Sequence, residues 1–130
     1  MALAFARTLV QPVTTQTINT AATYTSAQVD IGDNTIAEQI HLYLEVDGFA
    51  AAPTGTMVVT IAPIHTTGGD AFDDAGVSHP FTVIADAQYQ FPLPLSTLSR
   101  FFKVMVLNNT DQNTDSGAVD VWLEYQAVTT

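Results

Sequence analysis

The 130-residue sequence has no cysteine, three basic residues and no long apolar run. Without cysteine the chain can form neither a disulfide nor a thiolate-bound metal site, so cysteine usage does not identify its redox compartment. No apolar stretch approaches the roughly 20 residues that a membrane-spanning helix needs. We therefore expect a fold that is held together by its hydrophobic core and backbone hydrogen bonds, without covalent cross-links.

Positive charge is the scarcest property of the chain. The bases are Arg7, Arg100 and Lys103, and thirteen acidic residues bring the formal net charge to −10. Nucleic-acid binding requires clusters of lysine and arginine that displace counterions from phosphates. An anionic membrane surface attracts the same residue types. The sequence therefore predicts neither nucleic acid nor a membrane as a partner.

Charge of either sign is also rare. Charged residues make up 12% of the chain, about half of the ~25% that ordinary soluble domains carry. One explanation is a threonine-rich all-β domain, in which threonine replaces lysine and glutamate at exposed strand positions. Another is that much of the surface contacts other protein in an assembly, because interface cores are depleted of charge. The two explanations are compatible, and both remain open here.

The first twelve residues are apolar but irregular. Met1–Ala6 lacks the basic region of a secretory signal and is too short for its apolar region, so we expect an unprocessed protein made in the cytoplasm. Pro12 interrupts the segment. We interpret residues 1–12 as an N-terminal arm that offers Phe5 and Leu9 to a partner. An edge strand of the same domain is the alternative.

Residues 13–130 are predicted to form a single all-β domain. The clearest strand is Gln39–Asp47, in which apolar and polar or aromatic side chains alternate with a period of two. Further strand-like runs cover residues 13–20, 22–31, 56–66, 77–85 and 88–93. Seven or eight strands separated by turn signals are typical of a sandwich, a jelly roll or a barrel. We expect an antiparallel β-sandwich, jelly-roll-like in topology.

The end of the chain predicts a long β-hairpin around which the other strands are arranged. Its first strand would be Arg100–Leu107 and its second Ala118–Tyr125, joined by a polar turn. In the second strand valine, leucine and tyrosine fall on one face, and Asp120, Trp122 and Glu124 fall on the other. The first strand is apolar on both faces, as expected either for a central strand that is covered on both sides or for one that contacts a partner. We expect Phe101 to contact another subunit.

Two acidic segments are weak candidates for a cation site. The segment 111–117 places oxygen ligands at alternate positions, as calcium loops do, on Asp111, Asn113 and Asp115. It departs from the EF-hand loop because its glycine comes one place late and Trp122 occupies the twelfth position. The second candidate comprises Asp70, Asp73 and Asp74. A solvated turn is the default interpretation of both segments, and we predict no bound metal.

No arrangement of residues predicts catalysis. The string Asp115-Ser116-Gly117 matches aspartic protease active sites, but it lies in a turn, where the same residues are expected for conformational reasons. His41, His65 and His79 lack the spacing of a helical metal site. A zinc site from His65, His79 and a nearby aspartate is conceivable, although surface histidines are commoner. We therefore predict a protein that is not an enzyme and has no cofactor.

Two aromatic side chains point away from the predicted core. Tyr43 lies between His41 and Glu45, and Trp122 lies between two acidic residues on its own strand. Outward aromatics are often cross-strand partners within a sheet, and they are also enriched at binding hot spots. We therefore predict partner contacts at Tyr43 and Trp122, in addition to Phe5, Leu9 and Phe101.

The order of these features resembles a known family. An apolar N-terminus, threonine- and alanine-rich strands, the segment Phe91–Leu95, the run Arg100–Val106 and a final strand after Ser116–Ala118 are similar to the small capsid cement, or decoration, proteins of tailed bacteriophages. The resemblance covers about residues 24–126. It carries no catalytic signature and no metal ligands.

The resemblance implies a jelly-roll-like sandwich that assembles on the outer surface of an icosahedral shell, often as a trimer. The partners it implies are the major capsid protein and further copies of the chain, and the implied role is to bridge neighbouring capsid subunits. Two alternatives remain. One is another virion component, such as a head–tail completion or tail or fibre attachment protein. The other is a carbohydrate-binding β-sandwich that uses Tyr43 and Trp122.

Overall fold

The computed structural model describes residues 3–64, 76–84, 87–93, 97–98 and 100–130, and all regular structure in these ranges is β-strand. None of the described segments forms a helix that could cross a membrane. The ten strands are β1 (Ala4–Gln16), β2 (Thr23–Thr25), β3 (Val29–Asp30), β4 (Thr35–Val46), β5 (Gly55–Ile64), β6 (Val77–Thr82), β7 (Ala87–Pro92), β8 (Thr97–Leu98), β9 (Phe101–Thr110) and β10 (Val119–Thr129).

The strands form two antiparallel sheets. Sheet A has the order β1-β10-β4-β7, with β8 also paired to β4. Sheet B has the order β2-β9-β5-β6, with β3 also paired to β9. The predicted all-β sandwich is therefore confirmed. The described residues contain ten strands where seven or eight were predicted, because β8 is a separate short strand and the predicted run 22–31 is interrupted at residues 26–28.

The pairing of strands is nested along the chain. β1 pairs with β10, β2 and β3 pair with β9, β4 pairs with β7 and β8, and β5 pairs with β6. The chain thus follows the path of one long hairpin that is folded over into two layers, which is the jelly-roll arrangement. The connection at the centre of this path, residues 65–75, lies outside the described residues.

The predicted hairpin at the end of the chain is wrong. β9 belongs to sheet B, where it pairs with β5 and β2, whereas β10 belongs to sheet A, where it lies between β1 and β4. Residues 111–118 therefore cross from one layer to the other. The prediction failed because two consecutive strand-like runs with a polar connection look the same in sequence whether they share a sheet or face each other across a core.

The start of the chain is an edge strand from residue 4 onward. β1 runs without a break across the predicted boundary between arm and domain, and it pairs with β10 from Ala4 opposite Thr129 to Gln16 opposite Val119. The pairing shifts register on both sides of Val13, and Pro12 lies within the first shift. Proline is tolerated at such bulges because it has no backbone N–H to donate to the ladder. Residues 4–16 thus form the edge strand of sheet A next to β10.

The core lies between the two sheets and is formed by alternate residues of each long strand. In β4 the side chains of Ile40, Leu42, Leu44 and Val46 are 0–2% exposed, which confirms the predicted alternation. β10 contributes Val119, Val121, Leu123 and Tyr125 in the same way. β9 is the central strand of sheet B and alternates between fully buried and half-buried side chains. This alternation leaves the intervening side chains on the outer faces of the two sheets.

Candidate docking faces

The outer face of sheet A brings together three of the predicted contact residues. Trp122 of β10 lies directly opposite Tyr43 of β4, and Leu9 of β1 lies opposite Glu124 of β10. The sequence predicted that Tyr43 and Trp122 point outward, but their adjacency depends on the strand order and register. Both rings are half-buried, so they are fixed within the face and still available for contact.

A shallow groove of about 410 Å³ crosses this face. It is lined by Leu9, Tyr43, Leu44, Glu45, Gln88, Trp122 and Glu124. These residues come from all four long strands of sheet A, from β1 at one edge to β7 at the other. The groove therefore depends on the sheet as a whole, and reasoning from sequence missed its polar members Glu45, Gln88 and Glu124.

One side of the groove holds an internal ion pair. Arg7 of β1 reaches across the sheet to Glu124, with 2.8 Å between its Nη2 and the carboxylate oxygen. The guanidinium also donates to the backbone carbonyl of Gln39 at 3.2 Å and lies 3.1 Å from Nδ1 of His41. A guanidinium thus already binds at this face, and it neutralises the carboxylate on that side.

The other side of the groove is acidic. Asp120 lies opposite Glu45, and Glu45 lies opposite Gln88, whose amide donates to the Glu45 carboxylate at 2.9 Å. The neighbouring Asp47 carboxyl raises the pKa of Glu45 through a hydrogen bond and through repulsion between the two negative charges, and partial burial acts in the same direction. Negative charge therefore accumulates at this side of the groove.

Asp120 is fixed from within the domain. Its Oδ1 accepts hydrogen bonds from the Gln11 side chain at 3.0 Å and from the backbone N–H of Thr15 at 2.9 Å. The residue is 8% exposed. Asp120 therefore holds β1 against β10 where the pairing register shifts, and its charge helps to raise the pKa of Glu45.

Phe5 lies on the same outer face, nearer the end of β1. Residues 4–10 of β1 pair with β10 without a register shift, so Phe5, Arg7 and Leu9 share one side of the strand. Arg7 defines that side as the outer one through its contact with Glu124. Phe5 is 61% exposed, and Ile36, in the same row of the sheet, is 47% exposed. This end of the face is therefore apolar.

The fifth predicted contact residue, Phe101, lies on the opposite side of the molecule. It alternates with the buried Phe102 and is half-buried on the outer face of sheet B. The guanidinium of Arg100 lies 4.6 Å from the centre of its ring. Arg100 also pairs with Asp30, at 3.0 Å, and with Asp33. The predicted contact residues therefore divide between two faces.

The same guanidinium affects an ionisable neighbour. It lowers the pKa of the Asp30 carboxyl by a direct hydrogen bond, to which the backbone N–H of Gly32 adds a second one. The turn between β3 and β4 is thus tied to the start of β9. Arg100 is already occupied within its own chain.

Residues 111–117, one of the two weak candidates for a cation site, make hydrogen bonds to two other connections. The Asp111 carboxylate accepts from the backbone N–H of Thr54 at 2.8 Å, which lowers its pKa. The Asn113 side-chain oxygen accepts from the backbone N–H of Thr20 at 2.9 Å. Asp115 is exposed. The side-chain oxygens of Asp111 and Asn113 thus accept hydrogen bonds from two separate backbone segments.

No group of three or more histidine, aspartate or glutamate side chains in the described ranges is arranged to hold a metal ion. The second candidate segment, with Asp70, Asp73 and Asp74, lies outside the described residues, as does His65.

His79 joins the two sheets at one side of the sandwich. Its ring stacks on Phe91 of β7, with centroids 3.5 Å apart and planes 13° apart, and it meets Phe81 edge-on at 4.6 Å. Burial lowers the pKa of the imidazole. His79 therefore packs as an aromatic residue between β6 and β7.

Comparisons with known proteins reveal similarity in structure. The structure of Desmodium yellow mottle tymovirus has a TM-score of 0.52 at 8% identity and covers 98% of this chain and 86% of the other. The capsid of Ralstonia phage GP4 gives 0.47 at 12% identity, over 96% and 83%. No protein-family model and no curated protein sequence matches. The likeness to the tymovirus structure shows that the chain shares the fold of a viral protein.

Proposed function

We propose that this chain is a structural virion protein that decorates a phage capsid and stabilises it by bridging neighbouring capsid subunits. The observation that carries the proposal is the two-sided distribution of contact surface. A bridging protein needs at least two separate faces, and the contact residues inferred from sequence lie on the outer faces of both sheets.

The two faces differ in chemistry, as contacts with two different neighbours require. The face of sheet A combines the groove with the exposed Phe5 and Leu9. On the face of sheet B, the half-buried β9 side chains Phe101, Met105 and Leu107 lie opposite Ile64, Thr60 and Val58 of β5. Interface cores are poor in charge and rich in aromatic residues, and both faces fit that description in part.

Electrostatics supports an external partner for the acidic face. The chain carries a net charge of −10, so copies repel one another unless a basic surface lies between them. A basic docking surface on the shell would raise the association rate and fix the orientation of the protein. Repetition over many equivalent sites on a shell then converts weak single contacts into substantial stabilisation.

Jelly rolls serve many functions, and a shell-bound bridging protein is one that the fold accommodates. The tymovirus likeness adds that a viral protein uses the same architecture. A trimer around a local symmetry axis is the assembly we expect on the shell.

The direct test mixes the purified protein with undecorated phage heads at low salt. Co-sedimentation that saturates at a fixed number of copies, together with heads that resist heating to higher temperature, would support the proposal. Heads that bind no protein at any tested concentration would overturn it. The number of copies per particle distinguishes decoration from the other virion roles, since a decoration protein is expected in hundreds of copies and a connector in about six to twelve.

The groove itself favours a second candidate, a carbohydrate-binding module. Adjacent Tyr43 and Trp122 rings beside the polar Gln88 and Glu45 form a surface on which a sugar ring can stack. A glycan array probed with and without calcium tests this candidate. Specific binding of one glycan class, with no binding to heads, would favour it over capsid decoration.

A further inference from the structure

The outer face of sheet A is built from three parallel rows of side chains around the groove. The central row holds Trp122 and Tyr43. The row on one side runs from Leu9 through Glu124 to His41, and the row on the other side contains Asp120, Glu45 and Gln88. An aromatic floor therefore lies between two rows that each contain a carboxylate lining the groove.

The two sides of this floor differ in how their charge is balanced. Glu124 is neutralised by Arg7. On the opposite side, the ion pairs found among the described residues, which use Arg7 and Arg100, leave Glu45, Asp47 and Asp120 without a cationic partner. The hydrogen bond from Asp47, partial burial and the charges of Asp47 and Asp120 together raise the pKa of Glu45. A cation placed over the floor would relieve this imbalance of charge.

We propose that this groove binds an arginine side chain carried on an exposed segment of a partner protein subunit. The guanidinium stacks on Trp122 and Tyr43, and its N–H groups donate to the Glu45 carboxylate. Tryptophan and tyrosine faces attract cations, and the planar guanidinium combines stacking with paired hydrogen bonds to a carboxylate. Leu9, at the far side of the groove, contacts the aliphatic part of the segment.

The chain itself supplies a precedent for this geometry. The Arg7 guanidinium binds Glu124 and a backbone carbonyl on the same face. On sheet B the Arg100 guanidinium lies over the ring of Phe101 while it pairs with Asp30. The proposed site has the same two components as the Arg100 site, an aromatic ring and a carboxylate.

A second copy of this chain is not the expected source of the arginine that binds in the groove. The sequence contains three bases. Arg7 and Arg100 are held in ion pairs, and Lys103 is half-buried on the outer face of sheet B. Charge complementarity therefore points to a foreign protein with an exposed arginine. That this protein is a capsid subunit rests on the proposed function, whereas the chemistry of the groove does not.

The test uses the isolated protein and a blocked tripeptide, N-acetyl-Ala-Arg-Ala-amide. Trp122 is the sole tryptophan of the chain, so its fluorescence and its indole N–H signal in NMR report directly on the groove. We expect a saturable change with a dissociation constant of about 1–10 mM, as suits a single side chain. The glutamine tripeptide should give no saturable change, and the lysine tripeptide should bind about threefold more weakly.

Charge is tested in two independent ways. Glu45→Gln should weaken the arginine tripeptide about fivefold, whereas Asp115→Asn, which removes the same charge from an exposed loop, should leave binding unchanged. Raising NaCl from about 20 to about 500 mM should weaken binding to the wild-type protein to a similar degree, so the result does not depend on the variant folding.

The inference would be overturned if the arginine tripeptide gave no saturable response, or if the glutamine or lysine tripeptide gave an equal one. Binding that does not depend on salt would overturn it as well. So would a saturable response to a neutral oligosaccharide such as chitohexaose instead of the arginine tripeptide. If phage heads bind the protein but the groove does not bind the arginine tripeptide, the inference is refuted and the proposed function stands. If the groove binds the arginine tripeptide but phage heads do not bind the protein, only the proposed function is refuted.

Discussion

Val104 occupies the middle of β9 with no exposed surface. It belongs to the core between the two sheets, so Val104→Asp would bury a carboxylate without a partner. Such burial costs several kcal/mol, and total stabilities are only about 5–15 kcal/mol. We expect the variant to be largely unfolded by circular dichroism. Asn109→Asp introduces the same charge at an exposed position of the same strand and should remain folded; an equally disruptive effect there would contradict this account.

His79 predicts a specific dependence of stability on pH. Burial lowers its pKa below the ordinary value of 6.5, so as the pH falls the unfolded chain takes up the proton first. The contribution to stability is complete above pH 6.5 and declines as the pH falls below it. The melting temperature of the wild-type protein should therefore fall between about pH 7.5 and pH 5.5.

His79→Phe provides the matching control, because it keeps a ring between Phe81 and Phe91 and removes the titrating group. We expect its melting temperature to change less over the same interval. If the melting temperatures of the two proteins fall equally as the pH is lowered, groups other than His79 cause the effect.

The orientation of single side chains was largely predictable from sequence. A period of two correctly placed Tyr43 and Trp122 on the outside and Leu42 and Leu123 in the core. Their neighbours were not predictable, since the register that sets Trp122 opposite Tyr43 comes from pairing between strands some 80 residues apart, which local pattern does not encode. The polar members of the groove were missed for the same reason.

Among the larger elements, the link between β9 and β10 is held by buried polar contacts. The hydroxyl of Thr114 accepts from the backbone N–H of Ile18 at 2.9 Å, and both residues are nearly inaccessible to solvent. Thr114→Val keeps the shape and leaves that N–H without its acceptor, which should lower the free energy of unfolding by about 1–3 kcal/mol in urea titrations. Thr114→Ser retains the hydroxyl and should cost clearly less. Equal losses would show that packing of the methyl group dominates.

The same link explains why the expected hairpin was wrong. Asp111, Asn113 and Thr114 are residue types that favour turns, and they do lie in a connection. Their side chains, however, bind the backbones of Thr54, Thr20 and Ile18, which belong to other connections at that end of the sandwich. The polar residues thus identify the position of a turn, whereas the sheets that it joins are determined by long-range pairing.

At the scale of the whole molecule, the two-faced arrangement predicts separable effects on docking. Trp122→Ala removes an aromatic side chain from the face of sheet A, and Phe101→Ala does the same on sheet B. Because both rings are half-buried on outer faces, each variant should keep its cooperative thermal unfolding. We expect each to bind heads at least about tenfold more weakly, the effect of losing one interface hot spot.

The double variant should bind more weakly than either single variant, because both ends of the bridge are then impaired. Normal decoration by the Trp122→Ala protein would remove the face of sheet A from the interface. If the Phe101→Ala protein is unfolded, the Phe101 ring is instead required for the stability of the domain.

Nested pairing also has a consequence for the order of events during synthesis. β1 and β10 lie side by side in sheet A, yet among the described strands the ribosome makes β1 first and β10 last. Until β10 emerges, β1 has no neighbour, and sheet A lacks the strand that joins β1 to β4. Productive folding of sheet A should therefore wait until β10 has emerged from the ribosome. A ribosome-bound chain arrested before Val119 should leave residues 4–16 open to protease, and protection at that stage would argue against this order.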